Sequence, residues 1–235
     1  MYSIGLKQDF IFIHIPKTGG TSVKDCLIRN YPKENLFYTD YGYHAPIGEY
    51  VKAIENNPDC KPMSEYVIFT TVRNPWDRMV SLYHWKTKGT AKEDYLKNEK
   101  TAQVRMDTGK KNNQKPGLML PESLSFDSFI IGHHRFLEHK ESIPFNWWIN
   151  LNNNPYHCNT INFDFLQNHF SALSDQFLNL KDSSLLNIHK TKHDHYSTYY
   201  DQFTAGIVHG MNSEEIDRLK WKFEISEDYR TRSKK

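Results

Sequence analysis

The chain has 235 residues, of which 38% are hydrophobic, and its mean hydropathy is −0.73. These values predict a single domain over 1–235 with a sizeable core and a polar surface. A formal net charge of +2 is too small to indicate general nucleic-acid binding. We find neither the ~20 consecutive apolar residues that cross a bilayer nor the pattern of a secretory signal. The three scattered cysteines, Cys26, Cys60 and Cys158, indicate no disulfide framework and no zinc pattern, so we expect a protein of the reducing cytoplasm.

The first predicted strand is Phe10–Ile15, which is almost continuously apolar and β-branched or aromatic. Such a run is typical of a strand covered on both faces of a parallel sheet. Pairing should stop at Pro16, because proline cannot donate a hydrogen bond to a neighbouring strand. Apolar residues then recur at helical spacing, at Val23, Cys26 and Leu27. The pattern predicts a helix whose N-terminus lies at Thr21 and Ser22.

The loop between this strand and this helix, Pro16-Lys17-Thr18-Gly19-Gly20, has the composition of an anion site. Its two glycines allow a tight turn and a close approach of backbone N–H groups to a ligand. Those groups, the helix dipole and Lys17 would converge on a phosphate or sulfate. An ordinary capped strand–turn–helix is the alternative, although it does not require such a loop. The loop also differs from the Walker P-loop, because the upstream glycine is missing and the lysine precedes the glycines.

The second predicted strand, Tyr66–Val72, leads directly into Arg73, Asn74 and Pro75. Asn74 suits a helix N-cap and Pro75 suits the first helical position. The apolar positions that follow have the spacing of an amphipathic helix packed on the sheet: Trp76, Met79, Val80 and Tyr83. Ligand crevices of open parallel sheets lie outside the carboxyl ends of the strands, so Arg73 should face the same crevice as Lys17. Two cations there predict a ligand with two separated anionic groups, and a salt bridge near the helix start is the alternative for Arg73.

The segment 86–117 has nine Lys/Arg against four Asp/Glu, a net charge of +5, and few large apolar residues. It predicts an exposed insertion, which is either a solvated loop or a lid that attracts an anionic acceptor. The other predicted elements are helices at Pro46–Ile54, Phe126–Leu137, Leu166–Leu180, 196–208 and 213–222, a strand at Ile161–Phe165, and a loop at 143–157. Trp147 and Trp148 in that loop either stack on sugar rings or belong to the core.

Taken together, PKTGGTS after one strand and VRNPWDRMVSLY after another resemble the sulfotransferases that use 3′-phosphoadenosine 5′-phosphosulfate (PAPS). The similarity is greatest to the branch that acts mainly on carbohydrates, which has bacterial members. It implies a P-loop NTPase-like three-layer α/β fold, with a central parallel sheet flanked by helices. The first motif would hold the 5′-phosphosulfate through Lys17, Thr18, Gly19, Gly20, Thr21 and Ser22. Arg73 and Ser81 would hold the 3′-phosphate, and no metal is required because the cations are side chains.

Weaker similarity continues toward the C-terminus. Phe163–Leu166 is similar to the F-E-x-L segment of the family. Lys190, Thr191 and Lys192, followed by Tyr196, resemble the basic loop that closes over the donor. Two positions depart from the family pattern, because Asn162 stands where an arginine is frequent and His189 where an asparagine is usual.

Transfer to an acceptor hydroxyl also needs a general base, and histidine has a suitable pKa near neutral pH. His44 is our candidate, because it lies between the two motifs where related sequences also carry a histidine. The alternatives are His84, His133, His134 and Glu49, and packing in a tyrosine-rich loop is the other interpretation of His44. His193-Asp194-His195 and His157-Cys158 lack companion ligands at the usual zinc spacing, so polar loops explain them better.

These motifs predict a sulfotransferase that modifies a hydroxyl or amine of an acceptor, most simply a carbohydrate. A small-molecule kinase is a second hypothesis, weakened by the missing Walker glycine. A non-catalytic nucleotide- or glycan-binding protein on the same scaffold is a third.

Overall fold

The computed structural model describes residues 4–5, 9–32, 36–37, 44–87, 120–135, 143–151, 154–186 and 193–225. The strands are β1 (Ile4–Gly5), β2 (Phe10–Ile13), β3 (Leu36–Phe37), β4 (Val67–Val72), β5 (Asn150–Leu151), β6 (Asn154–Pro155) and β7 (Asn159–Asn162). The α-helices are α1 (Gly20–Asn30), α2 (Ile47–Glu55), α3 (Pro75–Thr87), α4 (Phe126–Arg135), α5 (Phe145–Ile149), α6 (Leu166–Leu173), α7 (Gln202–Met211) and α8 (Ser213–Leu219). Three short 3-10 segments lie at Met63–Glu65, Phe163–Phe165 and Tyr196–Thr198, and a π-helical turn at Ser174–Leu178 extends α6.

Five of the strands form one sheet in the order β3-β1-β2-β4-β7. The inner part is parallel, with Phe10 opposite Val67 between β2 and β4, and Val72 opposite Asn162 between β4 and β7. The outer strands β1 and β3 are antiparallel. A parallel centre is therefore confirmed, and the antiparallel edge was not predicted.

Alternate residues of β2 point to opposite faces of the sheet, and helices cover both faces. Ile11 and Ile13 pack in one core cluster with side chains of α2 and α5. Phe10 and Phe12 pack in a second cluster with side chains of α1 and α6. A third cluster joins α3, α4 and α7 beside the sheet. Burial on both faces explains why the apolar run in β2 is continuous.

The prediction of a loop at 143–157 is wrong. Phe145, Trp148 and Ile149 have i, i+3, i+4 spacing and are buried in one cluster with Tyr50. This burial stabilises the short helix α5 in spite of the asparagines and prolines around it. Trp148 is thus a core residue, whereas Trp147 is 42% exposed.

Other boundaries also differ from the expectation, and the helix predicted at 196–208 begins only at Gln202. Strand β7 begins earlier than predicted and ends at Asn162, whose side-chain Oδ1 accepts a hydrogen bond (2.9 Å) from the backbone N–H of Asp164. That cap starts the 3-10 turn at Phe163–Phe165, so the chain leaves the sheet there. The side chain of Asn162 therefore has a local structural use at the end of the strand.

Several predictions fall outside the described residues. They concern 88–117 of the insertion, the loop with His189, Lys190, Thr191 and Lys192, and the helix beyond Arg135.

Candidate functional site

Three adjacent parallel strands end at one edge of the sheet and place their loops side by side. Strand β2 leads to Lys17, β4 to Arg73 and β7 to Phe163. Because these strands are parallel, their carboxyl ends open onto the same crevice. The two predicted cations therefore share one edge of the sheet.

The loop after β2, Pro16–Gly19, here called the lysine loop, is held in a special backbone conformation. Lys17 has φ +66° and Gly19 has φ +88°, both in the left-handed region. For a non-glycine residue such as Lys17 this conformation costs on the order of 1–3 kcal/mol. Glycine is required at 19 for a second reason, since a Cβ there would lie 2.8 Å from Cδ2 of Phe163 and 3.0 Å from Cδ2 of Leu166. The F-D-F-L segment thus packs directly on the lysine loop.

Thr18 fastens this loop to the neighbouring strand. Its hydroxyl donates to the carbonyl oxygen of Ile15 (2.8 Å), and its Oγ1 lies 2.6 Å from Oγ1 of Thr71. The side chain is buried, so its hydroxyl is used within the fold. A ligand would meet Thr18 through its backbone N–H.

Gly20, the first residue of α1, lies directly against the ring of His14. A Cβ at 20 would overlap Cδ2 of His14. The His14 ring is buried between Phe12 and His44, with centroid distances of 5.7 Å and 4.5 Å. Burial, with His44 and Lys24 nearby, holds the pKa of His14 well below its usual value. Glycine at this position lets the helix N-terminus approach the strand closely.

Arg73 connects all three loops. Its Nη1 donates to the carbonyl oxygen of Lys17 (3.2 Å), and its Nε pairs with Oδ2 of Asp77 (2.6 Å). Its guanidinium lies over the ring of Phe163, 4.2 Å from the centroid. The salt bridge near the helix start, which the sequence left as the alternative to anion binding by Arg73, is therefore present, and Arg73 also lies beside the lysine loop.

Positive charge accumulates at the lysine loop. No carboxylate of the described residues forms an ion pair with Lys17. Burial, and secondarily the Arg73 guanidinium, lower the pKa of Lys17 to about 8. A partly buried ammonium beside a second cation is stabilised by any anion that binds between them.

One face of α3 packs against the lysine loop, and sequence analysis assigned it no such role. Arg78 is buried, and it donates from Nε to the carbonyl of Pro16 (3.0 Å) and from Nη1 to the carbonyl of Ile143 (3.0 Å). Ser81 and Trp85 follow at i+3 and i+7, on the same side of the helix. The Nζ of Lys17 lies 5.3 Å from the centroid of the Trp85 ring. The i, i+3, i+7 spacing of Arg78, Ser81 and Trp85 is the sequence signal from which this face of α3 could have been predicted.

Glu215 supports this region from α8. Its carboxylate is buried and accepts a hydrogen bond (3.1 Å) from the backbone N–H of Phe145. Burial raises the pKa of Glu215 to about 7, although Arg78, the Phe145 N–H and Arg218 act in the opposite direction. The folded protein therefore keeps a proton on Glu215 to a higher pH than the unfolded chain does.

This proton predicts a pH-dependent stability. Because the pKa is near 4.5 in the unfolded chain and about 7 when folded, the contribution of Glu215 to stability should fall as pH rises between these values. The loss is on the order of 3 kcal/mol. Urea unfolding of the wild type and of Glu215→Gln should show a stability difference that favours the variant increasingly from about pH 5 to about pH 8. Glu214→Gln, at the neighbouring exposed carboxylate, is the control, and an equal pH dependence in all three proteins would contradict the assignment.

His44 has a defined orientation beside the end of β2. Its Nδ1 lies 2.7 Å from the carbonyl oxygen of His14, and a carbonyl can only accept, so Nδ1 carries the proton. Nε2 is then the ring nitrogen that can take up a proton. The His44 ring also contacts Trp148 edge-on, at 6.5 Å between centroids.

The alternative bases are engaged elsewhere or lack described side chains. Nε2 of His84 lies 2.9 Å from the hydroxyl of Tyr199, and Glu49 pairs with Lys52 (2.9 Å). His133 and His134 belong to α4, and their side chains lie outside the described residues.

Within the described ranges there is no cluster of three or more His, Cys, Asp or Glu that could hold a metal ion. The helices of those ranges include none that is long and apolar enough to cross a membrane.

Comparison with known proteins identifies the family. No curated protein and no solved structure matches the chain. A sequence model described as the sulfotransferase family matches residues 3–234, which is almost the whole chain. The chain therefore belongs to the sulfotransferase family, as a protein of the family 2 type.

Proposed function

We propose that this protein transfers a sulfuryl group from PAPS to a hydroxyl or amine of an acceptor, and that the acceptor is a carbohydrate. The observation that carries the proposal is the hydrogen bond between the Arg73 guanidinium and the Lys17 carbonyl. It brings two cationic turns together at one sheet edge, as a nucleotide with separated anionic groups requires. A P-loop NTPase-like arrangement of the sheet and its helices is part of the same proposal.

The residues present fit such a donor. Burial lowers the pKa of Lys17, so a bound anion would stabilise its ammonium. The backbone N–H groups of Thr18, Gly19 and Gly20 would donate to the same anion. Thr21 and Ser22 add hydroxyl groups at the start of α1. These residues would hold the 5′-phosphosulfate.

Arg73 and Ser81 would hold the 3′-phosphate. The Arg73 Nε is paired with Asp77 and its Nη1 with the Lys17 carbonyl, which fixes the plane of the guanidinium. A planar guanidinium suits a phosphate, and a buried hydroxyl on α3 supplies a further donor. Lys190, Thr191 and Lys192 would close over the donor from the C-terminal side.

The bound donor would supply an SO₃ group whose departure leaves negative charge on a phosphate. Lys17 would hold its ammonium where that charge develops, and its fixed position means that little reorganisation is needed. His44 would accept the acceptor proton at Nε2, while its Nδ1–H stays bonded to the His14 carbonyl.

The proposed acceptor class rests on charge and on the exposure of one aromatic ring. Beyond α3, the segment 88–117 has eight Lys/Arg against four Asp/Glu, a net charge of +4, which favours an anionic acceptor such as an acidic saccharide. Trp147 is 42% exposed next to the buried Trp148, and an exposed ring can stack on a sugar. Three scattered cysteines favour a reducing compartment, and we place the reaction in the cytoplasm.

Thermal unfolding with 3′-phosphoadenosine 5′-phosphate (PAP) tests the proposal. A ligand at ~100 times its Kd stabilises by about 2.7 kcal/mol, which should raise the Tm by roughly 5–10 °C for a chain of this size. We expect this shift from PAP without magnesium and none from Mg-ATP. The reverse pattern would favour a kinase, and PAP binding without transfer of labelled sulfate to any acceptor would favour a non-catalytic protein.

A further inference from the structure

Lys17 lies on a strained loop, and its charged end contacts a side chain of another element, helix α3. Its backbone is in the left-handed region, and no carboxylate in the described part of the chain pairs with it. The contact made by its ammonium is with the indole of Trp85, at 5.3 Å from Nζ to the ring centroid. That distance is within the range of a cation–π interaction.

Trp85 is well placed to act as a fixed support. It lies two helical turns after Arg78, which donates to the carbonyls of Pro16 and Ile143 and so ties α3 to the lysine loop. The ring is partly buried in the cluster formed around α3. A second ammonium, that of Lys86, lies 5.4 Å from the same ring. The indole therefore contacts two cations. It lies on α3, and the contacts of Arg78 set the position of this helix relative to the lysine loop.

From this contact we propose that Trp85 is a positioning residue for Lys17, holding its ammonium charged and aimed into the crevice before the donor arrives. Trp85 acts through Lys17 and needs no contact with the donor. The inference rests on the proposed function, since it assigns Lys17 to the donor. The charged group that faces the Lys17 ammonium is Arg73 from the loop after β4, and its positive charge lowers the pKa of Lys17.

The test measures the titration of Lys17 without any nucleotide. Protein labelled with ¹³C-lysine gives Cε resonances whose pH dependence reports each pKa, and Lys17→Arg identifies the signal of Lys17. We expect Trp85→Leu, which keeps an apolar side chain but removes the ring, to lower the pKa of Lys17 further below about 8. Trp85→Phe keeps a ring and should restore most of the wild-type value, and Trp147→Leu should leave it unchanged. An unaltered Lys17 titration in Trp85→Leu would overturn the inference.

A second measurement keeps the shape of the side chain. Incorporation of fluorinated tryptophans at all five positions weakens the ring quadrupole while the packing is nearly preserved. The pKa of Lys17 should fall stepwise with the number of fluorines, and no trend would contradict the role of Trp85. Affinity for PAP at about pH 8 should fall roughly 3- to 30-fold in Trp85→Leu. Since the titration needs no nucleotide, an altered pKa with no PAP binding would refute the proposed donor but not the positioning by Trp85.

Discussion

Replacement of Lys17 by alanine is expected to lower kcat by about 10²–10³-fold, the usual effect of removing one preorganised electrostatic group from an active site. The ammonium is partly buried, lies beside Arg73, and has no carboxylate partner in the described residues, so its charge is available to a developing anion. Because the negative charge on the departing phosphate grows in the transition state, kcat should change more than the KM for the donor. Initial rates of labelled-sulfate transfer from PAPS to an acceptor measure both constants.

The matched control is Lys52→Ala, at an exposed lysine whose ammonium pairs with Glu49. It removes the same charge from the surface and should leave kcat unchanged. If Lys17→Ala retained a kcat within about threefold of the wild type, the reacting group would have to lie elsewhere.

Affinity for PAP should fall about tenfold for each pH unit above 8. In the free protein the pKa of Lys17 is lowered to about 8 by burial and by Arg73, whereas a bound anion raises it. Above pH 8 the free protein loses this proton, so binding requires its uptake and the Kd increases. Below pH 8 the ammonium is already charged, and Lys17 should contribute no pH dependence. Calorimetric titration in buffers of different ionisation enthalpy measures both the Kd and the proton uptake.

Lys17→Arg separates this effect from other titrations. Arginine stays charged throughout the range, so the variant should lose the rise in Kd above pH 8 even if its affinity is lower. The same slope in wild type and variant would show that another group carries the dependence.

The parts of the fold that were predicted correctly depend on local pattern. The buried runs in β2 and β4 are unbroken because both faces of the sheet are covered. The side chain of Asn74 caps the N-terminus of α3, and Pro75 is the first residue of that helix. The prediction of a loop at 143–157 was wrong because tertiary packing, rather than local pattern, decides the structure there. Three apolar side chains of α5 gain more from burial against α2 and the sheet than the surrounding asparagines and prolines cost.

For the candidate site, the sequence indicated which strand ends would carry its cations but not the contacts that hold them in place. Lys17 and Arg73 follow from strand ends and loop composition. The contacts of Arg78 with Pro16, and of Phe163 with both Gly19 and Arg73, join segments far apart in the chain. Such contacts depend on tertiary packing, which a single sequence does not reveal.

Binding of PAP and of adenosine 5′-phosphate, which lacks the 3′-phosphate, to wild type, Arg73→Ala and Lys17→Ala tests the central claim most directly. A phosphate that binds a guanidinium gains about 1.5–3 kcal/mol, so the wild type should prefer PAP by roughly 10- to 150-fold. We predict that this preference nearly disappears in Arg73→Ala and persists in Lys17→Ala, because each cation would hold a different end of the nucleotide. Equal losses for both ligands in Arg73→Ala, with the preference intact, would contradict the account.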